Sequence, residues 1–192
     1  MNNNRNNLGF TLIEVIVTIS VLGILLSIAV PSFSKMIERN RVSTGTNEFI
    51  SALMLTRSEA VTRSLPMSLC VSSNGTTCNA ALDDYSKGWL IFSDCDKDGA
   101  VTTTVTTCDF DGDGTNDKDI ILKVHNGFEK LLIVGSTTSA KDKFTYEFSG
   151  RPSGNNVNFK IGIDASSLQK KLTVAITGRV KLCTKGETGC TF

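Results

Sequence analysis

Residues 10–30 form an apolar run that holds one charged side chain, Glu14. A helix rises about 1.5 Å per residue, so roughly 20 such residues span the ~30 Å hydrocarbon core of a bilayer. Whatever else the chain does, this segment has to lie in lipid or against other apolar surfaces. Two fates fit it. A secretory signal peptide also stands near an N-terminus, but its apolar core runs to about 7–15 residues. This run is longer, and Ser27-Ile28-Ala29, just ahead of Pro31, is the nearest approach to a small-x-small cleavage site. A retained membrane helix is the reading its length supports.

Glu14 then needs an explanation. An ionised carboxylate at the centre of a membrane helix costs roughly 2.5–3.5 kcal/mol, and less near the end of the run. Snorkelling to the interface is one solution. A cut between Gly9 and Phe10 supplies another, because it creates an amine four residues before Glu14. In an assembly the amine of one chain could lie against the carboxylate of its neighbour.

Beyond the run, Pro31 removes a backbone donor and predicts a kink or local melting near residues 28–31. Val42, Thr46, Phe49, Leu53, Arg57 and Ala60 then recur at spacings of three and four, the period of a helix laying one stripe on a core. Gly45 is a second weak point, and Ser64-Leu65-Pro66 ends the helix. After Pro66 the texture changes to short apolar or alternating runs separated by Gly, Asn, Asp and Ser. They cover residues 67–71, 89–92, 120–124, 130–134, 144–148, 157–163, 172–176 and 179–183. Thr177-Gly178 between the last two fits a hairpin turn. The expected fold is therefore α+β: a long N-terminal hydrophobic helix packed on an antiparallel sheet or sandwich-like head.

The charges exclude some functions and suggest others. Twenty Lys and Arg against 19 Asp and Glu give a net charge of +1, without the basic signature of a dedicated nucleic-acid protein. That balance hides an acidic middle and a basic end. Residues 83–122 carry ten acidic and three basic groups, and residues 123–192 carry eleven basic and five acidic ones. Within the middle, Asp109, Asp111, Asp113 and Asp117 follow a D-x-D-x-D-G-x-x-D pattern, in which alternate carboxylates converge on one hard cation and Gly114 makes the turn. Asp94, Asp96 and Asp98 form a shorter copy that could assist. A Ca2+ site is the functional expectation and a pair of solvated Asp-Gly turns the alternative. The twelfth position of the longer loop is Ile120 rather than a bidentate Glu, so EF-hand affinity is not expected. No other cofactor is called for.

Six cysteines suit an oxidising compartment. They allow about fifteen pairings. Sequential pairing is expected, Cys70 with Cys78, Cys95 with Cys108 and Cys183 with Cys190, since each pair brackets a polar loop. A zinc-thiolate site is the rival, without a Cys-x-x-Cys and with His125 as the one histidine. His125 stands beside Asn126-Gly127 and is expected as a surface imidazole in a turn. With no nucleophile elbow, P-loop or dinucleotide fingerprint, the chain is not expected to be an enzyme. A structural subunit and a secreted calcium-binding module with a cleaved signal remain.

Gly9-Phe10-Thr11-Leu12-Ile13-Glu14-Val15, followed by the apolar run and Pro31, resembles the class III signal of type IV pilins and type II secretion pseudopilins. The resemblance implies that a prepilin peptidase cuts after Gly9 on the cytoplasmic side and methylates Phe10. It places the family's assembly glutamate on Glu14 and its helix-bending proline on Pro31. Loop charge alone, Arg5 against Lys35, Arg39 and Arg41, would favour the opposite orientation, but the processing motif requires a cytoplasmic leader. Leu53 to Val61, Leu69-Cys70-Val71-Ser72, Gly88-Trp89-Leu90-Ile91-Phe92 and Gly178-Arg179-Val180 resemble the GspH/FimT branch. Implied are a leader 1–9, a membrane or filament-core helix 10–31, an amphipathic continuation 32–65 and a periplasmic head 66–192. Implied too is a bacterial inner-membrane protein that joins other pilins or pseudopilins through its N-terminal helix. The expected function is that of a minor pilin that primes or caps a type IV pilus, with an H-type pseudopilin as the alternative. In some FimT-type pilins a Gly-Arg-x-Arg segment contacts DNA; here Gly178-Arg179-Val180-Lys181 makes Arg179 and Lys181 the candidate phosphate contacts.

Overall fold

Helix α1 (Leu12–Arg63) is helical throughout, including at Pro31. The local melting expected near residues 28–31 does not occur. A proline removes one donor from the ladder, and the neighbouring turns keep their own hydrogen bonds. The helix ends where the sequence places its stop: Ser64 takes the left-handed conformation (φ 57°) and the Leu65 amide donates back to the Ala60 carbonyl at 3.2 Å. The computed structural model describes residues 10–102, 104, 109–137, 140–165 and 167–191. The chain divides into two units, Met1–Asn40 and Arg41–Phe192.

In the first unit the apolar side chains have no cover; Leu25 is 60 % exposed and Phe33 67 %. The helix is long and apolar enough there to cross a membrane. The second unit is the head. Its strands are β1 (Met67–Val71), β2 (Gly88–Ser93), β3 (Ile121–Asn126), β4 (Leu132–Gly135), β5 (Lys143–Tyr146), β6 (Val157–Gly162), β7 (Leu168–Val174) and β8 (Val180–Thr184). They form two four-stranded antiparallel sheets, β3-β2-β1-β5 and β4-β6-β7-β8. Each of the eight short runs after Pro66 becomes a strand, the first with the expected ends and the others with shifted ones. Phe148 and Ile176, placed in strands by composition, are instead exposed outside β5 and β7.

One core joins the helix to both sheets. Val42, Phe49, Ala52, Leu53 and Ala60 from α1 pack with Leu69 and Trp89 of the first sheet and Phe159 and Leu172 of the second. The Phe49 ring lies 5.5 Å from Trp89, 4.9 Å from Phe159 and 5.3 Å from Tyr85, edge-on or tilted to each. Thr46 and Thr56 are buried in the same stripe, and each satisfies its hydroxyl on the helix itself, donating to the carbonyls of Val42 and Ala52. Gly45 is not a weak point of the helix. It is buried, and Leu131 fills the space a Cβ would take. Two disulfides, Cys70–Cys78 and Cys183–Cys190, close short loops. In the chain-entropy model each such loop contributes about 2.5 kcal/mol. The expected Cys95–Cys108 pair involves Cys108, which lies outside the described residues.

Arg57 ties the helix to two turns far away in sequence. Its Nε donates to the Gly150 carbonyl at 3.0 Å and its Nη2 to the Thr177 carbonyl at 2.8 Å. Gly178 has φ +78°, and a Cβ there would run into the Gly150 carbonyl oxygen and the Arg57 guanidinium. The glycine of the Gly178-Arg179 pattern is therefore structural: it lets the β7–β8 turn approach the Glu147–Arg151 turn, where the Gly150 amide donates to Glu147. Arg57→Ala is expected to lower head stability by roughly 1.5–3 kcal/mol. Gly178→Ala should cost at least as much through strain and collision. Urea melts of the two variants and of wild type read both values. A Gly178→Ala melt equal to wild type would contradict the packing described.

Candidate functional site

Thr11 begins the N-terminal site. Its Oγ1 accepts from the Glu14 amide at 3.3 Å and its carbonyl from the Val15 amide at 3.3 Å, which makes it the N-cap of α1. Thr11 followed three residues later by Glu14 is a capping-box pattern. The sequence carries this signal in Thr11-Leu12-Ile13-Glu14. Glu14 therefore stands in the first turn, where a carboxylate also favours the helix dipole. Phe10 is 83 % exposed. Gly9 and the rest of the leader lie outside the described residues.

The acidic middle forms two triads. Asp109, Asp111 and Asp117 bring carboxylate oxygens within 4.8 Å of one another, and Asp94, Asp96 and Asp98 do the same. Asp113, expected with the first set, is not part of that triad. Its Oδ1 accepts from the Thr115 amide at 2.8 Å and hydroxyl at 2.6 Å, and these bonds hold its carboxyl below the usual range. The 109–117 loop turns its carboxylates onto its own amides: Asp109 accepts from Gly112, Asp113 and Gly114, and Asp117 from Phe110. Arg63, in the last turn of α1, lays its guanidinium 4.2 Å from the centre of the Phe110 ring.

At the basic end the β-register sorts the side chains. Phe159 pairs with Leu172 and Leu172 with Leu182, while Asn158 pairs with Thr173 and Thr173 with Lys181. Lys160, paired with Lys171, belongs to the same alternate set as Lys181. The face opposite the core row thus carries Lys160, Lys171 and Lys181, with Arg179 just before β8; Arg179 and Lys181 are both exposed. Sequence reasoning singled out the last two, with Lys170-Lys171 noted only as lying before them, and missed Lys160; the alignment of Lys160 and Lys171 with Lys181 is set by pairing rather than by chain order.

His125 is not the surface imidazole of a turn. It lies on β3, stacked 3.8 Å from Trp89, with Nε2 2.7 Å from Glu48 Oε2. Asn126 extends the strand before Gly127 can turn it, so the Asn-Gly signal comes one residue late. A small pocket of about 180 Å³ opens here between Glu48, Ser51, Lys123 and His125.

Comparison with known proteins places this architecture. The family described as Type II transport protein GspH matches residues 45–178, and the prokaryotic N-terminal methylation motif matches residues 4–30. Among solved structures, the chain is similar to the type IV minor pilin FimU of Pseudomonas aeruginosa in two crystal forms. One is 19 % identical with a TM-score of 0.53, covering 78 % of this chain and 93 % of that one. The other is 18 % identical with a TM-score of 0.50, covering 76 % and 94 %. The minor pseudopilin EpsH from the type 2 secretion system of Vibrio cholerae is 13 % identical with a TM-score of 0.43, covering 77 % and 99 %. No curated protein sequence matches the chain. The FimU likeness shows a shared fold, one long apolar helix and a head of two antiparallel sheets. With a methylation motif before a match that spans most of its length, the chain belongs to the GspH family of pilin-like proteins.

Proposed function

We propose that this protein is a minor pilin of a type IV pilus that helps to prime or cap filament assembly. The observation that carries the reading is the uncovered apolar half of α1 behind a methylation motif. Such a surface is stable in lipid and equally stable against the same surface of other subunits. A prepilin peptidase would cut after Gly9 and methylate Phe10, leaving the helix in the bacterial inner membrane with the head in the periplasm. Extraction into a filament would then exchange lipid for neighbouring helices. Glu14 would offset its desolvation by pairing with the N-terminal amine of an adjacent subunit. The fold shared with the minor pilin FimU supports the pilus. An H-type pseudopilin of a type II secretion system is the second reading, favoured by the family described as Type II transport protein GspH. Both are structural roles without catalysis.

Glu14→Gln separates assembly from helix capping, because the backbone amide of residue 14 still donates to the Thr11 hydroxyl while the charge is removed. The variant is expected to reach the membrane at wild-type levels and to be several-fold depleted from sheared filaments, as read by quantitative immunoblot. Equal incorporation would overturn the role given to Glu14.

DNA is a further proposed partner, through Arg179 and Lys181 and supported by Lys160 and Lys171 on the same sheet face. Contacts of this kind reach phosphate and not base edges, so binding should be weak and indifferent to sequence. On duplex DNA the log–log salt slope is about −0.9 per neutralised phosphate. The full chain in detergent, titrated with labelled duplex, should lose affinity as salt rises. Arg179→Gln with Lys181→Gln should flatten the slope by about two contacts. An unchanged slope would remove these residues from the interface.

A further inference from the structure

Asp119 is a buried acid that the D-x-D-x-D-G patterns do not include. It is 5 % exposed, and among the described residues its Oδ1 has no hydrogen-bond partner. Its position follows from pairing on both sides. Ser93 and Ile120 bond each other twice, the Ser93 amide to the Ile120 carbonyl at 3.1 Å and the Ile120 amide to Ser93 Oγ at 2.8 Å. That brings Asp119, the preceding residue, beside Asp94, the residue after Ser93. From the other side Thr102 takes the Asp119 amide on its carbonyl at 3.2 Å and donates its own amide to Asp119 Oδ2 at 2.8 Å. The Thr102 hydroxyl then donates to Asp96 Oδ2 at 3.3 Å, linking the Asp119 and Asp96 carboxylates through one residue.

From this arrangement we infer that Asp94, Asp96, Asp98 and Asp119 form a binding site for one divalent cation, Ca2+ by its all-oxygen chemistry. The triad oxygens lie within 4.8 Å of one another. That is about the widest separation two oxygens can have on one Ca2+, given bonds of ~2.4 Å. Asp119 supplies the acid that the first loop lacks in sequence, where its own twelfth position is Val105. The site also gathers four acids without a matching cation. The nearby ammonium groups are engaged elsewhere, Lys97 with Glu147 at 2.8 Å and Lys143 with the Asp98 carbonyl. Among the described residues, no salt bridge reaches any of the four carboxylates.

The Asp94 amide donates to the Pro66 carbonyl at 3.0 Å, so the site sits where the chain leaves α1 and enters β1. A cation there would clamp the helix exit to the end of β2. Both triads accept from their own turns' amides, and the 109–117 triad, beside which no buried carboxylate oxygen is left without a partner among the described residues, provides the internal control.

The test is calorimetric titration of the metal-stripped full chain in detergent with CaCl2, together with its melting temperature. Wild type should bind Ca2+ and melt about 5–10 °C higher at a hundredfold excess over Kd. Asp119→Asn, which keeps an acceptor for the Thr102 amide, should weaken binding at least tenfold. Asp98→Asn, at an exposed position, should do the same and serves if the buried substitution prevents folding. Asp111→Asn should bind as wild type does. Absence of binding by wild type at 10 mM CaCl2, wild-type affinity in folded Asp119→Asn or Asp98→Asn, or loss of binding in Asp111→Asn would each overturn the assignment.

Discussion

Phe49 is the point at which helix and sheets become one head. Its ring meets Trp89 of the first sheet, Phe159 of the second and Tyr85 of the 3-10 turn Tyr85–Lys87 that precedes β2. Each sheet needs apolar cover on its inner face, and the apolar stripe of α1 supplies part of that cover for both. The stripe works because its polar members are neutralised locally, the two threonines by their own helix. Removing a fully buried phenylalanine from such a junction costs about 3–5 kcal/mol in comparable cores, much of it through the cavity left behind.

The same helix carries a second, different surface. From Leu12 to Val30 it is apolar on nearly all sides rather than on one stripe, with Glu14 as its one charge, and nothing within its own unit covers it. A helix of this kind is a membrane or assembly element, while a striped one belongs to a globular core. The change from one pattern to the other, between Phe33 and Val42, is the division of labour in the molecule. The family match begins at residue 45, just past that change, and the methylation motif ends at residue 30, before it.

Much of this was legible in the sequence because it depends on local period. The all-round apolar run, the three-four spacing from Val42 to Ala60 and the eight short runs after Pro66 each name their own element. What was not legible depends on pairing between distant segments. Arg57 reads as one more stripe residue until its carbonyl partners arrive from the turns at Gly150 and Thr177. Asp119 reads as an unremarkable acid outside both Asp patterns until the Ser93–Ile120 and Thr102–Asp119 pairings bring it to the first loop. His125 was misjudged because an Asn-Gly signal marks a turn without saying which residue the strand keeps. The acidic loops show both sides: their spacing gave the triads, yet Asp113 turns to Thr115, a choice that spacing does not encode.

The central claim is that the apolar half of α1 is retained as an assembly element after the leader is removed. Intact-mass and N-terminal fragment analysis of the protein purified from the membranes of its native cells tests it most directly. The account predicts a mature chain that begins with N-methylated Phe10, with Glu14 as its fifth residue. A mature chain that starts near residues 30–32, having lost the apolar run, would contradict it and leave a secreted head.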